Sequence, residues 1–197
     1  MTPPAAPPAR VSVVPTDGAA LMARTAAGDA SALGVLFDRY HADVYRVLAR
    51  LRGSTVDIDD LVQTTFIALP SAARNYDPAH SPLGFILGVA IFHARRERRR
   101  VFRRLSLWRA NAHALEPDAP AVDPERLASA REDLAAFSHA LRRLPPAQRE
   151  AVILVEIEGL PGDDAARSLG IPVNTLWTRL HYARAALREA LAARRDR

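Results

Sequence analysis

With 197 residues and 49% hydrophobic content, the chain suffices for one ordinary domain or two small ones and is too apolar for wholesale disorder. Its formal charge is +5, and all 27 basic residues are arginine, a bias that points to a GC-rich genome and gives arginine placement more weight than arginine number. Zero cysteines exclude disulfides, thiol catalysis and cysteine-ligated zinc, and fit a reducing compartment. No apolar run approaches the ~20 residues that span a bilayer, and no charged start precedes an apolar core at the N-terminus. A cytoplasmic protein without membrane insertion is expected.

Residues 1–17 hold Pro3, Pro4, Pro7, Pro8 and Pro15 with little that packs, and read as an extended or disordered tail. From Ala19 to about Arg104 the pattern is helical. Leu33, Leu36, Phe37, Tyr40, Val44, Val47, Leu48 and Leu51 recur at helical spacing and end at Gly53. A second helix is expected from about Asp57 to Ala73, a polar, proline-flanked loop from Arg74 to Pro82, and a third helix from Leu83 to about Arg104. Residues 105–130, with Glu116-Pro117-Asp118-Ala119-Pro120 and Asp123-Pro124, read as a linker. The expectation is all-α: an N-terminal bundle of three or four helices over 18–104 and a second helical domain over 131–197.

The second domain carries the densest signal. Leu144-Pro145-Pro146 opens a helical run through Val152, Val155 and Ile157, which Gly159 stops. A short helix spans Asp163 to Leu169, Gly170-Ile171-Pro172 makes a tight turn, and a longer helix follows. That helix puts Val173, Leu176, Leu180, Ala183, Leu187 and Leu191 on one face at steps of three and four. Its other face carries Asn174, Thr175, Thr178, Arg179, Tyr182, Arg184 and Arg188. Helix, turn and helix lengths together fit a helix-turn-helix, whose second helix enters the major groove. A helical bundle with a basic last helix is the simpler alternative. Trp177 fits either packing on the preceding helix or contact with the DNA backbone.

Eight arginines and one acid, Glu97, fall between Arg95 and Arg109. A solvated helix end accounts for part of this, and a polyanion would relieve the repulsion of so many like charges. Asp57, Asp59 and Asp60 stand at a helix start, where capping and dipole compensation explain their type. A magnesium site and an acidic patch for a basic partner are the other readings, the former lacking a second acidic cluster. The six histidines show no ligand spacing, and no phosphate loop, H-E-x-x-H or nucleophile elbow is present, so no metal, no cofactor and no enzyme activity are expected.

Asp59-Asp60-Leu61-Val62-Gln63-Thr64-Thr65-Phe66 resembles the D-L-V-Q-E-T-F signature of bacterial sigma factors. Leu144-Pro145-Pro146-Ala147-Gln148-Arg149-Glu150, Glu158-Gly159-Leu160 and the run Leu169 to His181 are similar to the L-P-P-x-x-R-E, E-G-L and L-G-I-P-x-x-T-V-K-S-R-L-H elements of the same family. Together they resemble an extracytoplasmic-function sigma factor of the two-domain type. The resemblance implies a transcription initiation factor that binds core RNA polymerase and promoter DNA, with an anti-sigma factor as a candidate partner held between the domains. By position it places polymerase binding on Asp57, Asp59, Asp60, Leu61, Gln63 and Thr64. It places −10 DNA on Arg74, Asn75, Tyr76, His80, Phe85, His93, Arg95 and Arg96, with the loop 74–82 receiving a flipped base. It places −35 DNA on Asn174, Thr175, Trp177, Thr178, Arg179 and Arg184. Departures are Thr64 for a glutamate, Phe85 for a tryptophan, Ile91-Phe92 for a polar or basic pair, Trp177 for a lysine, and Pro161-Gly162 for a serine-type cap and its neighbour. The alternative is a stand-alone helix-turn-helix regulator whose N-terminal domain dimerises or senses.

Overall fold

A computed structural model describes residues 17–52, 58–108 and 128–195; in 102–108, 128–133 and 193–195 it describes the backbone alone. The expected tail over 1–16, Asp57, and most of the expected linker lie outside the described residues. Those residues that are described form helices and no strands.

The N-terminal domain is built from α1 (Gly18–Ala26), α2 (Ala30–Arg52), α3 (Ile58–Ala72) and α4 (Pro82–Trp108). The continuous helical pattern from Ala19 hides a break: α1 and α2 are separate, joined by a turn at Ala27-Gly28-Asp29. Asp29 makes that corner, its Oδ1 accepting from Ser31 N at 2.9 Å and Ala32 N at 3.2 Å while Oδ2 accepts from Arg24. These bonds to the ionised form, with Arg24's first, hold the Asp29 carboxyl below its ordinary value. Between α3 and α4, a single 3₁₀ turn (Ala73–Asn75) leads into an extended corner at Tyr76. Pro82 sits first in α4, where its missing N–H costs nothing, and Ser81 Oγ accepts from Gly84 N at 3.2 Å. The helix then runs on to Trp108, four residues beyond the expected end. Leu21, Met22, Leu36, Leu48, Ile58, Leu69, Ile86, Leu87 and Ile91 fill the core of this domain.

The C-terminal domain comprises α5 (Ala128–Arg143), α6 (Pro146–Val152) with a π-helical continuation (Ile153–Ile157), α7 (Gly162–Leu169) and α8 (Val173–Arg195). In the continuation Glu158 N bonds back to Ile153 O, five residues away, at 2.9 Å, which widens the last turn. Gly170 ends α7 in the left-handed region at φ 65°, where a Cβ would be strained, and Ile171 N closes onto Ala166 O at 3.0 Å. This is the tight turn expected between the two helices. The face expected to be apolar on α8 is the buried one: Leu176, Leu180, Ala183 and Leu187 lie in the core with Ala151, Ile153, Leu154, Ala165 and Leu169.

The two domains pack on each other, α4 lying along α7 and the end of α2 against α6 and its continuation.

Candidate nucleic-acid interface

Three surfaces collect the residues singled out by sequence. The first lies along the start of α3, where Asp59, Asp60, Gln63 and Thr64 are exposed. Asp59, Asp60 and Gln63 border a shallow hollow with Phe37, His41 and Tyr45 of α2, and Phe37 stacks on His41 at 4.9 Å between ring centroids. Leu61 does not join them. It is buried beside Ile58, Val62 and Thr65, and its carbonyl accepts a 2.7 Å bond from Thr65 Oγ1. The spacing Ile58, Leu61, Thr65, Leu69 carries that signal, since steps of three and four put all four side chains on the core face.

The second surface is the loop 74–82 with α4. Tyr76 donates its hydroxyl proton to His80 O at 2.6 Å and meets Phe85 edge to face at 5.3 Å. Burial raises the Tyr76 hydroxyl above its ordinary pKa. These rings, with Phe92 and His93, line a cavity of about 550 Å³ whose opposite wall comes from α7 through Asp164, Arg167 and Ser168. His93 is held below the ordinary histidine pKa by burial and then by neighbouring Arg96, so it favours the neutral form. Arg74, Asn75 and Arg96 are exposed. Phe92, 60% exposed, belongs to this wall and was absent from the expected set; its signal was the break from a polar pair at Ile91-Phe92.

Two members of the second set are engaged by side chains of the other domain. Arg95 reaches buried Glu150 of α6 through both carboxylate oxygens, at 3.1 and 2.6 Å, and donates to Leu169 O at 3.1 Å. Glu150 is only 4% exposed, so the pair is largely out of water. His80 Nδ1 lies 2.9 Å from Asp164 Oδ1 of α7. Arg149, beside Glu150, donates to Leu51 O and Leu144 O at 3.0 Å each, and burial followed by the nearby Arg98 and Arg142 lowers its pKa. Sequence reasoning missed this covering altogether.

The third surface is the polar face of α8. Asn174, Trp177, Thr178 and Arg184 are exposed, and Thr175 and Arg179 half-buried. Thr178 Oγ1 donates to Asn174 O at 2.9 Å, and Arg184 pairs with Glu156 of the π-helical segment. Trp177 packs on the preceding helix: its six-membered ring lies on Gly162, where a Cβ would come within 2.5 Å, while the side chain stays 45% exposed. Gly162 and Trp177 are two of the departures from the family pattern, and the fold puts them in contact.

Among the described residues no group of histidines and carboxylates could hold a metal, and no helix is long and apolar enough to cross a membrane.

Residues 36–104 match the family described as Sigma-70 region 2, and residues 134–187 match Sigma-70, region 4. The chain is 36% identical over 179 residues to the ECF RNA polymerase sigma factor SigM of Mycobacterium tuberculosis, covering 88% of this chain and 84% of that protein. It is 35% identical over 162 residues to SigE of Mycolicibacterium smegmatis, covering 78% of this chain and spanning 60% of that longer relative. Its fold superposes on CnrH, solved in complex with the cytosolic domain of CnrY, with a TM-score of 0.63 and 26% identity over 90% of this chain and 99% of that one. The two regions stand in family order, on the two helical domains just described, and the chain belongs to the extracytoplasmic-function sigma factors, non-enzymatic proteins that bind core RNA polymerase and direct it to promoters.

Proposed function

We propose a division of labour among the three surfaces. The exposed start of α3, through Asp59, Asp60, Gln63 and Thr64, docks on core polymerase. The aromatic cavity of Tyr76, Phe85, Phe92 and His93 receives an unstacked base of the −10 element, with Arg74, Asn75 and Arg96 on the single strand beside it. The polar face of α8 enters the major groove at −35, where Asn174, Thr175 and Thr178 reach base edges and Arg179 holds phosphate. Arg184 reaches phosphate by exchanging its Glu156 partner. The domains run over about 18–104 and 131–197, and the protein works in the cytoplasm.

The observation that carries this reading is the cavity. A base taken out of a duplex needs a slot walled by π faces, with cations nearby for the backbone. Here three aromatic rings and His93, from the 74–82 loop and the helix that bears the arginine run, form one wall of the cavity of about 550 Å³ that α7 closes from the other side. Strand opening follows as differential binding: the cavity gains a contact only once the base has left the stack. An anti-sigma factor is a further partner, supported by the likeness to CnrH in its complex with CnrY.

The docking surface is tested by Asp60→Arg with Gln63→Ala. Both side chains are exposed, so the fold survives, and co-purification with core polymerase is expected to be lost. Undiminished co-purification removes the docking assignment.

A further inference from the structure

We propose that a cavity among α2, α4 and α6 is a binding site for a compact, multiply charged phosphate anion. It has a volume of about 350 Å³, and four guanidinium groups line it: Arg52 from the end of α2, Arg95 and Arg98 from α4, and Arg149 from α6. Among the described residues one carboxylate faces them, that of Glu150, and Arg95 takes it through both oxygens. Arg52, Arg98 and Arg149 have no carboxylate partner among the described residues. None of the three belongs to the expected polymerase or promoter sets, and the cavity shares no lining residue with the aromatic one.

Structural roles account for these arginines only in part. Arg149 caps the end of α2, its Nη1 donating to Leu51 O and its Nη2 to Leu144 O, and a cation is favoured at a helix C-terminus. Those acceptors are neutral carbonyls, so the charge stays uncompensated, and the buried Nε has no partner among the described residues. Nη1 of Arg52, the last residue of α2, is buried and partnerless in the same way. Buried donors are nearly always hydrogen-bonded and buried charges paired, so two orphaned donors on one cavity mark a place short of acceptors. The Arg149 pKa points the same way: burial and then Arg98 and Arg142 hold it below its ordinary value, against the opposing pull of Glu150.

The chemistry of the lining selects the ligand. A guanidinium fork matches a tetrahedral oxyanion, and three uncompensated forks call for more than one negative charge. Arg98 is exposed and reaches the anion from solvent, while half-buried Arg52 and Arg149 supply charge from beneath. The remaining wall is aliphatic, made by Leu51, Ile91, Ala94, Val101 and Pro146. It offers no aromatic ring on which a base could stack. The site therefore reads phosphate groups, as a free anion or as the phosphate end of a nucleotide.

The test is calorimetric titration of the full-length chain with metal-free sodium pyrophosphate, at an ionic strength fixed with sodium chloride. Saturable binding of one anion per chain is expected. Arg98→Gln, at an exposed position whose replacement spares the fold, should weaken it at least tenfold, and Arg52→Gln at least as much. Arg46→Gln removes an exposed arginine of α2 outside the cavity and should leave the affinity within twofold. Absence of saturable binding, or unchanged affinity in Arg98→Gln, overturns the site. Equal weakening by all three substitutions also overturns it, since overall charge would then be the cause. Adenosine diphosphate carries the same diphosphate on a nucleoside and separates the two sources. Affinity equal to that of pyrophosphate admits a nucleotide's phosphate end, and tenfold weaker binding restricts the site to the free anion, both within the proposal. Tenfold tighter binding would mean that a base is read, which an aliphatic wall does not provide, and overturns it.

Discussion

Two faces of this molecule are suited to nucleic acid, and the chain treats them differently. On α4 and its preceding loop, Arg95 and His80 are met by Glu150 and Asp164 from the other domain, the first pair largely out of water. On α8, Asn174, Thr175 and Arg179 make no side-chain bond to the rest of the chain among those described, and only Arg184 has a carboxylate partner, Glu156, within its own domain. The contrast teaches that a basic or polar residue in a DNA-binding pattern reports an affinity for anions, and the fold decides which anion is present.

The largest expected effect is on stability, and it marks the contrast's structural floor. Leu180, on the opposite side of α8 from the bare face, is fully buried. Leu180→Ala is expected to cost about 3 kcal/mol through lost burial and a cavity, read as a lower midpoint in thermal or urea unfolding. A loss under about 1 kcal/mol would mean that the C-terminal core is not packed as described.

Glu150→Ala removes the carboxylate of the Arg95 pair and leaves the half-buried guanidinium with the Leu169 carbonyl as its remaining partner. A penalty of about 3 kcal/mol is expected, together with stronger single-stranded DNA binding because Arg95 is released. Lower stability without a gain in binding would place Glu150 in a purely structural role.

Next in size is the contact between Gly162 and Trp177. Gly162→Ala is expected to cost about 2 kcal/mol by overpacking, and Trp177→Ala in the same chain to return most of it. A double-mutant cycle measures this, and additive costs would show the two residues do not touch.

Arg179→Ala probes the bare face and should leave stability alone. Its effect is expected in the salt dependence of upstream-duplex binding, where the slope of log affinity against log salt flattens by about one. An unchanged slope would take Arg179 off the phosphate backbone.

The smallest effect concerns His93 in the aromatic cavity. Its folded pKa lies below the ordinary 6.5, so just under that pH the unfolded chain binds more protons than the folded one. Stability contributed by neutral His93 is therefore present above pH 6.5 and is lost as pH falls from there toward the folded pKa. His93→Gln should make the fall in unfolding midpoint between pH 7 and 5.5 shallower. Parallel profiles for the two proteins would contradict the assigned burial.

Most of the helical scaffold was legible because its periodicity is local. The steps from Leu176 to Leu187 alone define the buried face of α8, and Gly170-Ile171-Pro172 marks its turn. Leu61 was misread although the same periodicity applied to it, because a sequence signature was carried over whole without asking which of its side chains face the core. The break at Ala27-Gly28-Asp29 and the π-helical turn at Ile153–Ile157 were not anticipated, as each disturbs the apolar spacing by only a residue or so. The masking of Arg95 lay beyond reach for a different reason. Its partner Glu150 is 55 positions away in the other helical domain, and nothing in either segment alone encodes their meeting. Gly84 and Gly88 were the one available hint, a small-residue pair one turn apart in an otherwise apolar stretch.

The account stands most directly on transcription itself. Purified core RNA polymerase, free of other sigma factors, is to be mixed with this chain on the DNA fragment upstream of its own coding sequence. A discrete run-off product that requires the chain is predicted, one that disappears with Asp60→Arg and Gln63→Ala. Polymerase that stays silent on that fragment and on sheared DNA of the whole source genome, while the chain alone binds duplex tightly, would contradict it and favour a stand-alone regulator.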